Sequence, residues 1–198
     1  MAYYYSRDFT SIGTTYAKEP VDNLNLSTMN FKIKKGSHYS NRWLHKALNF
    51  LSISDRLEMR VTITDSMLYG DHTDDKYDVN KLFGFSRGNH KKNSYRVGWN
   101  CVDGNISLYA YCHIEGVMKF AKLCDNVRVN DVYDIVINLY PSYVHFNATQ
   151  VIGDIILFKA HMSVAKPQNK WSIGYNLFPY FGGDKTAPKD VCVNLEKQ

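Results

Sequence analysis

The sequence predicts an all-β protein: a two-sheet antiparallel β-sandwich of jelly-roll or concanavalin A-like type, with at most one short helix. Three observations carry this. Alternation of apolar and polar residues with period 2 recurs in short runs along the chain, separated by turn residues. The composition holds 15 Tyr, 10 Phe and 3 Trp, side chains favoured on pleated surfaces. No βαβ rhythm and no internal repeat interrupts the pattern. At 198 residues the chain suits one domain with one core, residues 1–198, in which residues 1–30 form a partly irregular N-terminal segment.

In chain order, Tyr3 to Phe9 read as a short strand, followed by an irregular stretch punctuated by Gly13, Pro20, Asn23 and Asn25. Phe31, Ile33 and Lys35 alternate with Lys32 and Lys34, the pattern of an edge strand protected by lysines. Trp43, Leu44, Ala47, Leu48 and Leu51 have helical spacing and mark the one helix candidate. Leu57, Met59, Val61 and Ile63 face one way and Arg56, Glu58, Arg60, Thr62 and Thr64 the other, which makes a half-buried strand. The acidic segment from Gly70 to Asp78 then leads into a strand over Lys81 to Ser86.

The strongest local signal is Ser94 to His113, two alternating runs around Asp103-Gly104. A two-residue turn there fixes the register, so Cys101 faces Ile106, Trp99 faces Leu108, Val97 faces Ala110 and Tyr95 faces Cys112 in the core. Arg96 then faces Tyr111, Gly98 faces Tyr109, Asn100 faces Ser107 and Ser94 faces His113 on the opposite face. Beyond the hairpin, Val117 to Leu123 and Val127 to Val129 read as strands split by Asp125-Asn126. Tyr133, Ile135, Ile137 and Leu139 run into a tight turn at Pro141-Ser142, pairing Leu139 with Val144 and Ile137 with Phe146. Ile152 to Lys159 reads as a strand buried on both sides, or one following a bulge. Trp171, Ile173, Tyr175 and Leu177 alternate again, and a last strand turns Val191, Val193 and Leu195 inward. The total is about ten to twelve short strands.

A net charge of +5 and a pI near 8.9 are too mild to point to nucleic acid. The densest basic group, Arg87, His90, Lys91, Lys92 and Arg96, reads as a solvated loop entering a strand. No nucleic-acid partner and no membrane partner is expected, since no segment approaches transmembrane length. The N-terminus shows no apolar signal-peptide core, so synthesis in a bacterial cytoplasm without a signal peptide is the expectation. Cys101, Cys112, Cys124 and Cys192 show no metal-binding spacing and read as reduced, buried thiols. The sequons at Asn25, Asn105 and Asn147 are then unused.

The outward side of the hairpin supplies the candidate site: Arg96, Asn100, Tyr109, Tyr111, His113 and, one step further in phase, Glu115. Aromatic rings suit the apolar face of a sugar, while Arg, Asn and His supply directional hydrogen bonds. The same residue types could neutralise a uronic acid and move its proton, as a lyase does. A glycosidase needs two carboxylates across the scissile bond, and the platform offers Glu115 alone. Asp71, Asp74 and Asp75 form a weak calcium candidate without EF-hand spacing. No cofactor is expected.

The segments K-L-F-G-F-S, R-V-G-W-N, I-S-L-Y-A-Y-C-H and L-F-P-Y-F-G-G-D-K-T-A-P resemble uncharacterised β-sandwich proteins of Bacteroidales and their crAss-like phages. More loosely, the two-sheet pattern is similar to concanavalin A-like lectin and glucanase domains, although the carboxylate motif E-x-D-x-x-E is absent. The resemblance implies a phage or gut-bacterial setting, with the chain in the virion if phage-encoded. The leading expectation is a non-enzymatic virion structural or decoration protein that assembles with other virion proteins or with itself and exposes a glycan-binding face. The alternative is a carbohydrate-binding module or a polysaccharide lyase using that face.

Overall fold

Alternating strands leave each sheet with one apolar face, and two such faces exclude water most completely against each other. A computed structural model of the chain describes residues 9–11, 27–40, 51–52, 54–70, 78–153, 155–166 and 174–198. Thirteen strands lie within them: β1 (Phe9–Ser11), β2 (Ser27–Ile33), β3 (Leu51–Ser52), β4 (Arg56–Thr62), β5 (Asn80–Arg87), β6 (Ser94–Val102), β7 (Asn105–Ile114), β8 (Val117–Val127), β9 (Val132–Leu139), β10 (Tyr143–Ile152), β11 (Ile155–Ala165), β12 (Gly174–Leu177) and β13 (Val191–Lys197). They pair antiparallel into a seven-stranded sheet, β1-β11-β10-β9-β4-β13-β2, and a six-stranded sheet, β3-β12-β5-β6-β7-β8. The protein is therefore a two-sheet antiparallel β-sandwich. A 3-10 turn at Asp65–Met67 is the one helical element among the described residues; the helix candidate from Asn41 to Phe50 lies outside them, and Leu51 belongs to β3.

The β6-β7 register is the one the turn residues impose. Asp103 and Gly104 have φ of 50° and 74°, the left-handed pair that a tight hairpin turn needs to match strand twist. Every pairing expected from Val102↔Asn105 to Ser94↔His113 is present. Tyr95, Val97, Trp99, Ile106, Leu108, Ala110 and Cys112 are fully buried, and they pack against Ile33, Val61, Ile135, Phe146, Val193 and Leu195 from the other sheet in one continuous core. The alternations of β4, β9 and β13 are likewise inward as read, and β2 with Lys32 is an edge strand.

Elsewhere the expectations are corrected. The apolar run from Ile152 is not one strand buried on both sides. Gly153, at φ +57°, reverses the chain, so the run is divided between β10 and β11, and Ile152, Ile155 and Leu157 stand 62%, 56% and 39% exposed. A bulge does occur nearby, at Gln150/Val151 in β10. The break expected at Asp125-Asn126 is absorbed inside a single strand, β8, by register shifts opposite Leu108 and a left-handed Asn126. Cys101, Cys112 and Cys124 are buried free thiols, whereas Cys192 is exposed, because it alternates with Val191 and Val193. The basic group divides as well: His90, Lys91 and Lys92 are exposed, but Arg87 is buried and ties β5 to the β3-β4 connection, donating to Ser54 O and to Asp55 Oδ1 at 2.9 Å.

Candidate functional site

The outer face of the six-stranded sheet is organised in rows. Antiparallel register places Leu177, Gly84, Arg96, Tyr111 and Phe120 across one row, and Tyr175, Ser86, Ser94, His113 and Met118 across the next. On the other side of Arg96 runs Lys81, Gly98, Tyr109 and Lys122. Tyr180 rejoins β5 beyond β12 through two backbone hydrogen bonds, Lys81 N to Tyr180 O at 2.8 Å and Tyr180 N to Lys81 O at 2.9 Å, and Tyr39 bridges to Tyr180 in turn. Lys81, Arg96, Tyr111, His113, Tyr175 and Tyr180 thereby line a cavity of about 830 Å³, roofed at its rim by the exposed Tyr39 and His90.

Two glycines make room for the cations. A Cβ on Gly84 would collide with Tyr95 O and lie 2.8 Å from Arg96 Cγ, so the absent side chain lets β6 approach closely and Arg96 lie across β5. A Cβ on Gly182 would lie 2.8 Å from Lys81 Nζ. Asn80 fixes this corner: its side chain accepts from Gly182 N at 2.8 Å and donates to Tyr69 Oη at 2.7 Å.

Neither cation has an anionic partner in the cavity, whose lining contains no carboxylate among the described residues. Arg96 Nη2 donates to Phe178 O at 2.8 Å, and its Nε is shut from solvent without an acceptor among the described residues. Burial lowers its pKa to about 10, so it stays protonated at neutral pH. Lys81, only 8% exposed, places Nζ 4.3 Å from the Tyr111 ring centroid and 5.9 Å from that of Tyr180. Burial first, then the charge of Arg96, lowers its pKa to about 7, against the opposing pull of Asp78. Burial pushes the Tyr111 hydroxyl up to about 12. His113, whose Nδ1 lies 3.3 Å from Ser94 Oγ, is lowered to about 4 by burial and by Lys81 and Arg96, and is neutral at pH 7.

Of the residues singled out from sequence, Arg96, Tyr111 and His113 come together in the cavity. Asn100 lies two rows away, buried toward the hairpin turn, and Tyr109 packs edge-on against Phe120 at 6.1 Å outside the lining. Glu115 is not on the platform: it sits exposed at φ +53° in the β7-β8 turn with Gly116, where the strand phase ends. Tyr111 is buried rather than displayed, with Phe120 stacked beside it at 6.4 Å. Asp71, Asp74 and Asp75 lie outside the described residues, among which no three His, Cys, Asp or Glu side chains converge to hold a metal. Lys81 and Tyr180 were missed. Lys81 stands on a strand whose alternation a bulge at Lys81/Phe83 disrupts, and Tyr180 reaches the site through a long-range bridge; the available hints were the charged start of an otherwise apolar strand and the F-P-Y-F-G-G run.

The half-buried imidazole gives a pH signature. An unfolded His113 titrates near 6.5 and the folded one near 4, so between these values the unfolded chain binds more protons and stability rises with pH. Thermal denaturation at pH 4 and pH 7 is expected to show a smaller difference in Tm for His113→Gln than for the parent; equal differences would remove His113 from the acid response.

No protein-family model and no curated protein matches the chain. Among solved structures it is similar to the enzymatically active domain of tailspike protein 2 of bacteriophage CBA120, with a TM-score of 0.44 and 12% identity over 95% of this chain and 28% of that one. Full-length tailspike protein 2 from an Escherichia coli O157:H7 bacteriophage gives a TM-score of 0.44 and 12% identity over 96% of this chain and 24% of that one. The chain thus spans about a quarter of the length of those tailspikes, and no residue role transfers from them. No helix among the described residues is long and apolar enough to cross a membrane.

Proposed function

We propose that the chain is a carbohydrate-binding β-sandwich whose outer-face cavity takes a carboxylate-bearing sugar of a polysaccharide. The observation that supports this reading is the pairing of buried Lys81 and half-buried Arg96, whose Nε is shut from solvent, with the rings of Tyr111, Tyr175 and Tyr180 in a lining that holds no carboxylate among the described residues. Burying positive charge without a counter-ion is costly, and an anion supplied from outside relieves that cost. The planar guanidinium suits a carboxylate, and the tyrosine rings suit the pyranose that carries it.

Titration calorimetry with oligogalacturonate and with a neutral oligosaccharide of equal length tests the reading. The acidic ligand is expected to bind and the neutral one not. Tyr180→Ala is expected to weaken binding by about 1 to 3 kcal/mol, whereas Tyr109→Ala, outside the cavity, leaves it unchanged. Equal binding of both ligands, or equal effects of both substitutions, would remove the cavity as the site.

A second reading keeps the chain as a virion structural protein. It is favoured by the exposed Ile152, Ile155 and Leu157 at one end of the seven-stranded sheet, together with the stacked, exposed Tyr140 and Tyr143 at 4.5 Å between centroids. Mass spectrometry of purified particles and light scattering of the protein test it; absence from particles together with a strict monomer would dismiss it.

A further inference from the structure

We infer that the cavity also cleaves its ligand, as a β-eliminating lyase of uronate-containing polysaccharides in which Lys81 is the base and Arg96 holds the carboxylate. The inference rests on the acidic-sugar reading of the same cavity. Its geometric basis is that Lys81 Nζ makes no hydrogen bond or ion pair among the described residues, lines the cavity across the face of Tyr111, and occupies the space that a Cβ on Gly182, 2.8 Å away, would crowd. A lysine that only balanced charge would be paired or solvated. This one is buried beside a second cation, the standard arrangement for presenting a free amine at neutral pH.

The step balances within the groups present. With the uronate carboxylate on Arg96, the lone pair of neutral Lys81 takes the proton from the carbon α to that carboxylate. The C–H bond breaks, an N–H bond forms, and the electron pair moves into the carboxylate, where the guanidinium stabilises the added charge. That pair then forms a carbon–carbon double bond as the β C–O bond to the next sugar breaks. The departing oxygen takes a proton from a cavity tyrosine, Tyr180 or Tyr111, and the Lys81 ammonium restores the tyrosine proton directly or through solvent. One C–O bond is lost and one C=C bond gained, with no water, oxidant or reductant consumed. Burial keeps both hydroxyls protonated and able to donate. His113 is neutral beside them and adds no competing charge, and Asp78, the acidic group acting on Lys81, works against its deprotonation.

The test incubates the full chain with polygalacturonate, alginate and hyaluronan and follows the ultraviolet absorbance of the unsaturated uronate product, while calorimetry on the same preparations measures binding. Product is expected from at least one polymer, with an acid limb in kcat/KM near pH 7 set by Lys81. Lys81→Met, similar in length and uncharged, is expected to lower turnover by at least about 100-fold while its melting curve shows a folded protein. Tyr180→Phe is expected to lower kcat with little change in KM, and Tyr111→Phe tests the alternative acid by the same readout. Binding of all three polymers without unsaturated product overturns the lyase and leaves the binding reading standing. Binding of none overturns both. Turnover unchanged in folded Lys81→Met overturns Lys81 as the base.

Discussion

Trp99→Ala is expected to destabilise the fold by about 3 to 5 kcal/mol, enough to unfold a domain of ordinary marginal stability. Trp99 is fully buried, stands opposite Leu108 on β7 and Asn80 on β5, and meets Phe181 edge-on at 6.4 Å between centroids. Truncation would open a cavity at the centre of the six-stranded sheet, on its core side, where neighbouring strands cannot collapse without losing their hydrogen bonds. The indole N–H finds no acceptor among the described residues, so the residue is held by packing and not by its polar atom. Trp99→Phe, which removes that orphaned donor and keeps most of the ring, should cost distinctly less. Urea denaturation of the two variants checks the argument; a Trp99→Ala protein as stable as the parent would mean that the core is not centred on this strand.

Arg96→Met is expected to change stability and binding in opposite directions. Its stem lies against Gly84, and its guanidinium has one backbone acceptor, Phe178 O, and no carboxylate partner among the described residues. Replacing a buried, poorly compensated charge by an apolar chain of similar reach is expected to raise stability by about 1 to 3 kcal/mol. The same change removes the planar donor pair for the sugar carboxylate and should weaken oligogalacturonate binding by at least about 100-fold. Arg96→Lys keeps the charge without the fork and should fall between. Such opposition is the signature of a residue retained for its ligand at a cost in stability. Loss of fold and binding together would instead make Arg96 a structural strut, and unchanged binding would dismiss the carboxylate from this position.

Local rules determined the hairpin, because its register depends on two residues. Asp103 and Gly104 accept positive φ, the turn then fixes which side chains oppose, and period 2 sends Trp99 inward and Arg96 outward without reference to the rest of the chain. The same reasoning sufficed for β4, for β13 and for the β9-β10 turn, where Asn138 meets His145 as the pattern requires. It failed where one residue changes phase. Gly153 turned an apolar run into two strands, Asn126 let β8 continue through an apparent break, and the left-handed Glu115 left the platform for a turn.

What the sequence alone determined, then, was the sandwich and the outward placement of Arg96, Tyr111 and His113. Only the tertiary structure decided that these three share a cavity with Lys81 and Tyr180, because that depends on backbone pairing between residues about a hundred positions apart and on a bulge that rotates Lys81 onto the outer face. The chemistry was decided there as well. A lysine is an ordinary cation in water and a candidate base only when neighbouring strands exclude solvent from it and a second cation lies beside it, and burial and proximity of that kind are properties of the assembled sheet.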